Sequence, residues 1–152
     1  MRKFLALDLG TKMGFAFTNG SSAIVSGTVS FAIDKRYEGG GVRYVRFRKW
    51  LEEMEGIGIE MVVFEEVRRH VGTTAAHVYG GFLACLTEWC EINEIPYTGI
   101  PVGTIKKFAT GKGNAGKDAM IDAARSWGFE PVDDNEADAL ALLKLTQTEY
   151  GG

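Results

Sequence analysis

Three carboxylates stand where short apolar runs stop. Asp8 closes "KFLALDL" just before the glycine turn "GTKMG", Glu65 follows "EMVVF", and Asp138 sits among the small and apolar residues of "EADALALL". A strand buried on both faces gains nothing from an ionised end, so acids at such ends imply a partner. Strands lying side by side would bring Asp8 and Glu65 together. Like charges at that range need a compensating cation, and oxygen-only donors select magnesium or manganese. A second chemistry-bearing stretch is "GKGNAGKD", residues 111 to 118. Gly111, Gly116 and Lys117 match most of the phosphate-cradling pattern G-x-x-x-x-G-K-[ST], but Asp118 stands at the hydroxyl position. The stretch also follows "TIKKFAT", which reads as helix, whereas a P-loop follows a buried strand. A glycine-rich approach to a helix N-terminus still exposes free N–H groups to an anion. Lys117 in a first helical turn opposes the helix dipole, which makes sense if it faces a phosphate. The stretch alone therefore reads either as a phosphate-contacting loop or as a solvated loop with a surface lysine, and not as a nucleotide-cofactor site.

These groups need a frame. "KFLALDL", "FAFT" and "SSAIVSGTVSF" predict three antiparallel strands, with Asn19-Gly20 as a hairpin turn. A polar loop, "DKRYEGGGVR", leads to a helix from Val42 to Met54 with Val42, Val45, Leu51 and Met54 on its apolar face. "EMVVFEEV" is a buried strand ending in acids. A long helix from Thr73 to Asn93 carries Ala76, Tyr79, Leu83, Leu86 and Cys90 along one stripe. Its Gly80-Gly81 pair costs about 1 kcal/mol per glycine in a helix interior, which points to close backbone approach, either to the sheet or to a partner helix. "IPYTGIP" is another strand, and "VGTIKKFAT" a short helix. A further helix starts near Ala115 with Asn114 as N-cap, and the last runs from Asn135 to Leu145. The order predicts one mixed α/β sheet with helices on both faces.

The 152 residues fit a single domain, 1–152. No apolar run reaches the roughly 18 residues of a membrane helix, and Asp8 comes too early for a signal-peptide core, so a cytosolic protein is expected. Cys85 and Cys90 lie about 140° apart around one helix, which favours two buried thiols over a disulfide or a metal pair. The net charge of −3 argues against a simple nucleic-acid binder, but the charge is unevenly spread. Lys35, Arg36, Arg43, Arg46, Arg48 and Lys49 form one basic cluster, and Lys106, Lys107, Lys112 and Lys117 another, while acids crowd "EPVDDNEAD". An acidic total can hide a basic face beside an acidic metal pocket.

Taken in order, "LALDLGTKMGFAF", "VVFEEV", "TIKKFATGKGNAGKDAM" and "EADALALL" resemble the RuvC family of Holliday junction resolvases, within the ribonuclease H-like superfamily. The likeness covers nearly the whole chain. It implies a ribonuclease H-like mixed sheet, three antiparallel strands and then two parallel ones. It implies a crossover junction endodeoxyribonuclease that leaves 5′-phosphate and 3′-hydroxyl ends, with Asp8, Glu65 and Asp138 as catalytic acids and metal ligands. Two magnesium ions per site are implied, with manganese able to substitute. Lys106 and Lys117 match the family's DNA-contacting lysines, with Lys107 and Lys112 beside them, and Lys117 would stabilise the scissile phosphate. The implied partner is four-way or branched DNA; because a junction presents two equivalent strands, a homodimer is expected as well, joined through the 73–93 helix with its Gly80-Gly81 pair. The compact length resembles phage or mobile-element members acting in a bacterial cytosol.

Two positions depart from the family. Asn135 stands where a second acid usually precedes the last aspartate; its amide oxygen is a neutral fourth ligand, and Asp134, about 40° from Asp138 around the helix, is the charged alternative. Arg68 replaces a frequent aromatic near the junction centre and is read as a DNA contact, so no cleavage-sequence preference carries over. The YqgF-type nucleases share the opening D-x-G-T-K, but their glycine-leucine-proline stretch and D-E-R triplet are missing. Actin-like ATPases and sugar kinases also use D-x-G-T, but need two domains around a cleft. A general branched-DNA nuclease would share these residues. A non-catalytic DNA-structure-binding module would show the basic patches without needing the three acids.

Overall fold

A computed structural model describes residues 2–151 except 20, 22 and 71. Five strands form one sheet: β1 (Phe4–Asp8), β2 (Lys12–Thr18), β3 (Ile24–Ser30), β4 (Met61–Glu66) and β5 (Tyr97–Pro101), in the order β3-β2-β1-β4-β5. β2 is antiparallel to β1 and β3, while β4 runs parallel to both β1 and β5. The sequence-predicted sheet, three antiparallel strands followed by two parallel ones, is the sheet observed. Gly20 of the expected hairpin turn lies outside the described residues; Asn19 closes the hairpin with its N–H on the Ala23 carbonyl at 2.9 Å.

Alternation along the strands builds two cores. Phe4, Ala6, Ala16, Met61 and Val63 face α3 (Val102–Thr110), α4 (Lys117–Ser126) and α5 (Asp134–Tyr150). Leu5, Leu7, Met13, Phe17, Val62 and Phe64 face α1 (Val42–Glu55) and α2 (Thr73–Ile92). The central α5 is buried almost all round in its middle, with Ala137, Ala139, Leu140, Leu142 and Leu143 in the core, as a helix between a sheet and two further helices must be.

Several expectations shift. In α1 the buried residues are Phe47, Leu51 and Met54, and Val45 is exposed. In α2 the stripe is Phe82, Leu86, Trp89 and Cys90, while Ala76, Tyr79 and Leu83 are half-buried. Both cysteines are free, but only Cys90 is buried; Cys85 is half-buried. α4 begins at Lys117, capped by the extended Gly116 rather than by Asn114. α5 runs from Asp134 to Tyr150, longer at both ends than the sequence predicted. The "GKGNAGKD" loop joins two helices, with Gly111 in the left-handed conformation (φ 86°) closing α3, so the P-loop arrangement is absent. The glycine pair of α2 divides. A side chain on Gly81 would overlap the Tyr44 ring of α1, whereas one on Gly80 would meet open space. The close approach is thus to a neighbouring helix of the same chain, not to the sheet.

Candidate active site

β1, β3, β4 and β5 all end at one edge of the sheet, where β2 begins. In open sheets the carboxyl ends of parallel strands are where ligands gather. Asp8 and Glu65 are one register step beyond the Leu7–Phe64 pair, and their parity with Ala6 and Val63 turns both toward α5. Asp138 comes down from the second turn of α5. Carboxylate oxygens of the three acids all lie within 4.8 Å of one another.

A missing side chain makes this convergence possible. Gly14 pairs with Asp8 across β1 and β2, and a Cβ on it would overlap the carbonyl of Asn135. The first turn of α5 therefore rests directly on the β2 backbone. The neighbouring acids of "DDNE" then divide their roles. Asp133 caps α5, accepting from the Glu136 N–H at 2.9 Å and from Thr28 Oγ1 at 2.6 Å. Glu136 is buried and accepts from Ser26 Oγ at 2.7 Å and from the Val132 N–H at 2.9 Å. These two acids lock α5 to β3. Asp134 is left beside the trio, with Oδ2 3.9 Å from Lys117 Nζ.

The electrostatics are those of crowded anions. Burial, then Glu65 and then the charges of Asp138 and Asp134, push the Asp8 carboxyl well above the usual range. Burial and the neighbouring Glu65 and Asp134 push Asp138 up to about 7, with Lys106 partly offsetting them. Acids so disposed hold protons until a cation replaces them. The donor set is all oxygen and suits a hard divalent ion. Behind the trio, Tyr79 of α2 donates to the Glu65 carbonyl at 2.8 Å and accepts from the Val67 N–H at 3.3 Å, pinning the end of β4.

The structure brings Asp8, Glu65 and Asp138 together, with the Lys106 charge acting on Asp138 and Lys117 beside Asp134. Lys107 and Lys112 are exposed on α3 and the loop after it, and make no ion pair among the described residues. Arg68 is held by Glu66 at 2.7 Å, in an open cavity of about 350 Å³ that Arg69, Pro101 and Gly103 also line. Glu66 faces away from Glu65, so Arg68 stands apart from the trio. Asn135 lies over Gly14 through its backbone. Sequence reasoning missed Gly14, Asp133, Glu136 and Tyr79 as supports. The capping pattern D-x-x-E at 133–136 was the one available signal.

No protein-family profile matches the chain, and no curated protein does. Solved structures match nearly end to end. Thermus thermophilus RuvC in complex with a Holliday junction substrate has a TM-score of 0.80 at 21% identity, over 99% of this chain and 95% of that one. A second Thermus thermophilus RuvC structure gives 0.72 at 22% identity, over 98% and 96%. The yeast mitochondrial Holliday junction resolvase Ydc2 gives 0.60 at 12% identity, over 92% and 75%. The chain therefore has the RuvC fold, a ribonuclease H-like sheet backed by helices on both faces.

Proposed function

We propose that this chain is a metal-dependent, structure-selective endonuclease that resolves four-way DNA junctions by paired nicks. The observation that carries the proposal is the convergence of Asp8, Glu65 and Asp138 at the carboxyl edge of a RuvC-type sheet, with Lys106 and Lys117 at their border. The solved structure of Thermus RuvC with a junction substrate supports the choice of DNA over other phosphodiesters. Asp8, Glu65 and Asp138 would hold the two magnesium ions of this reading, with manganese able to replace them. When bound, the metal supplies water activation and charge stabilisation for an in-line phosphodiester displacement. Asp8, Glu65 and Asp138 bind and orient; Lys117, mobile enough at 81% side-chain exposure to leave Asp134, turns to the scissile phosphate. Lys106, Lys107 and Lys112 hold the strand, and Arg68 contacts DNA only after leaving Glu66.

The fourth ligand position belongs to Asp134 in this reading, because its charge already acts on both Asp8 and Asp138; the family spacing alone favours Asn135. Asp134→Ala should raise the magnesium requirement for cutting about tenfold, the cost of a lost supporting ligand, and Asn135→Ala should raise it less. The reverse order in a magnesium titration of both variants would return the position to Asn135.

The central experiment offers a labelled mobile four-way junction, with magnesium, beside linear duplex, a flap and an RNA–DNA hybrid. Symmetric nicks on opposing strands, sealable by ligase and absent in Asp8→Asn, are expected. Equal cutting of the flap would indicate a general branch nuclease. Cutting of the hybrid alone would indicate ribonuclease H activity. Tight junction binding without cutting would indicate a non-catalytic module.

A further inference from the structure

The segment from 31 to 41, between β3 and α1, carries cations that the trio and its lysines leave unused. Its two acids, Asp34 and Glu38, make hydrogen bonds within the segment that hold its shape. The Asp34 carbonyl accepts from the N–H groups of Tyr37 at 3.0 Å and Glu38 at 2.8 Å. Asp34 Oδ1 accepts from the Arg36 N–H at 3.0 Å. Glu38 Oε1 accepts from the Asp34 N–H at 2.8 Å, and its other oxygen pairs with Arg46. Arg46 in turn donates to the Ala32 carbonyl at 2.7 Å. The hydrogen bond from the Asp34 backbone and the Arg46 charge hold the Glu38 carboxyl below its ordinary range, so its charge is consumed inside the turn.

What this pinned turn projects is Lys35, Arg36 and Tyr37, all exposed. The Tyr37 ring is 78% exposed, with the Arg36 guanidinium 5.9 Å from its centroid. Neither Lys35 nor Arg36 has an acidic partner among the ion pairs of the described residues. Two cations without an acidic partner, beside an exposed aromatic ring, are the parts a nucleic-acid strand needs: charge for phosphates and a flat surface for a base or sugar.

The turn also lies at the right end of the molecule. Ser30 pairs with Lys12 at the edge where β1 delivers Asp8. β3 lies two strands from β1, about 10 Å along the sheet. Phe31 packs on Phe47 and Phe82, so the segment leaves toward α1 and α2, whereas Lys106 and Lys117 stand on the α5 side. Basic groups therefore flank the trio on both faces of the edge.

We propose that the 34–37 turn is a second DNA contact, holding the phosphates of a junction arm on the far side of the sheet edge from the α3–α4 lysines. The offset corresponds to three or more nucleotides from the cut bond, at about 3.4 Å each. This rests on the junction reading above. The test uses the full chain in an Asp8→Asn background, so that DNA stays uncut, and measures junction affinity across a salt series. The slope of log affinity against log salt should become shallower by about 2 in Lys35→Ala/Arg36→Ala, at about 0.9 per phosphate contact. Tyr37→Ala should weaken affinity with the slope unchanged. In the Asp8-intact chain, the double variant should keep its cutting rate at saturating junction, and its unchanged Tm would show the fold intact. A parent that binds junctions while the double variant keeps the parent's slope overturns the contact alone and leaves the turn to an acidic protein partner. A parent that binds no junction overturns the functional reading and this contact with it.

Discussion

Asp138 holds a proton near neutrality because burial and Glu65 disfavour its charge, and Asp8 is raised for the same reasons. Both folded-state values exceed the unfolded carboxylate value of about 4. The native protein therefore binds more protons than the unfolded chain between about pH 4 and the folded pKa of about 7, and stability falls as pH rises through that window. The metal-free Tm should drop between about pH 5 and pH 8. Asp138→Asn should flatten part of that drop, and magnesium should raise Tm more at the higher pH, where the carboxylates are free to bind it. A metal-free Tm that climbs over the same range, followed by scanning calorimetry, would contradict the buried-acid arrangement. The identities of the trio were legible in the sequence because each acid interrupts or ends an apolar run. The division among Asp133, Asp134 and Glu136 was not. It depends on where α5 starts, and one residue of shift turns every side chain by about 100°.

At the scale of elements, the site depends on how closely α5 lies on β2. Gly14→Ala inserts a methyl where the Asn135 carbonyl rests, and overpacking of this kind costs about 1–3 kcal/mol. The variant should melt lower and need more magnesium, because lifting the first turn of α5 draws Asp138 from Asp8 and Glu65. Junction binding through the lysines should persist. Wild-type magnesium dependence in Gly14→Ala would show that the helix can relax without moving Asp138. The presence and chain order of the strands and helices were readable from period and punctuation, such as the alternating runs and Asn19; the parallel pairing of the last two strands came with the family resemblance. Packing partners were less so. Phe47 buries and Val45 does not, because α1 meets Phe31 and Phe82, and which residues meet is a tertiary fact. Gly14 looked like part of a tight turn, since nothing local announces a helix arriving from more than a hundred residues away. Likewise, Arg46 and Arg48 belong to one basic cluster in the sequence, yet pair with Glu38 and Glu88.

At the scale of the whole molecule, two opposing strands of a junction call for two active sites, and a two-fold dimer is the economical arrangement. The expected contact is the 73–93 helix, α2. Gly80 faces open space, which leaves its helix-interior cost of about 1 kcal/mol without a reason inside one chain. Sedimentation should show a dimer on junction DNA, and Gly80→Ala should weaken it. A monomer at micromolar concentration with and without junction, and a Gly80→Ala variant that is simply more stable, would remove the dimer.

The anionic trio sits between cationic flanks in a chain whose formal charge is −3, so under the proposed function metal loading and DNA capture would bear on one another. Under the proposed function, two divalent ions would add four positive charges to a centre that otherwise repels phosphate, and a phosphate brought there by the flanks would add ligand oxygens and negative charge that favour the ions. Such coupling is reciprocal in free energy: the factor by which magnesium tightens DNA is the factor by which DNA tightens magnesium. A magnesium affinity measured on the free protein would then understate the affinity at work, and a junction affinity measured in chelator would understate its counterpart by the same ratio.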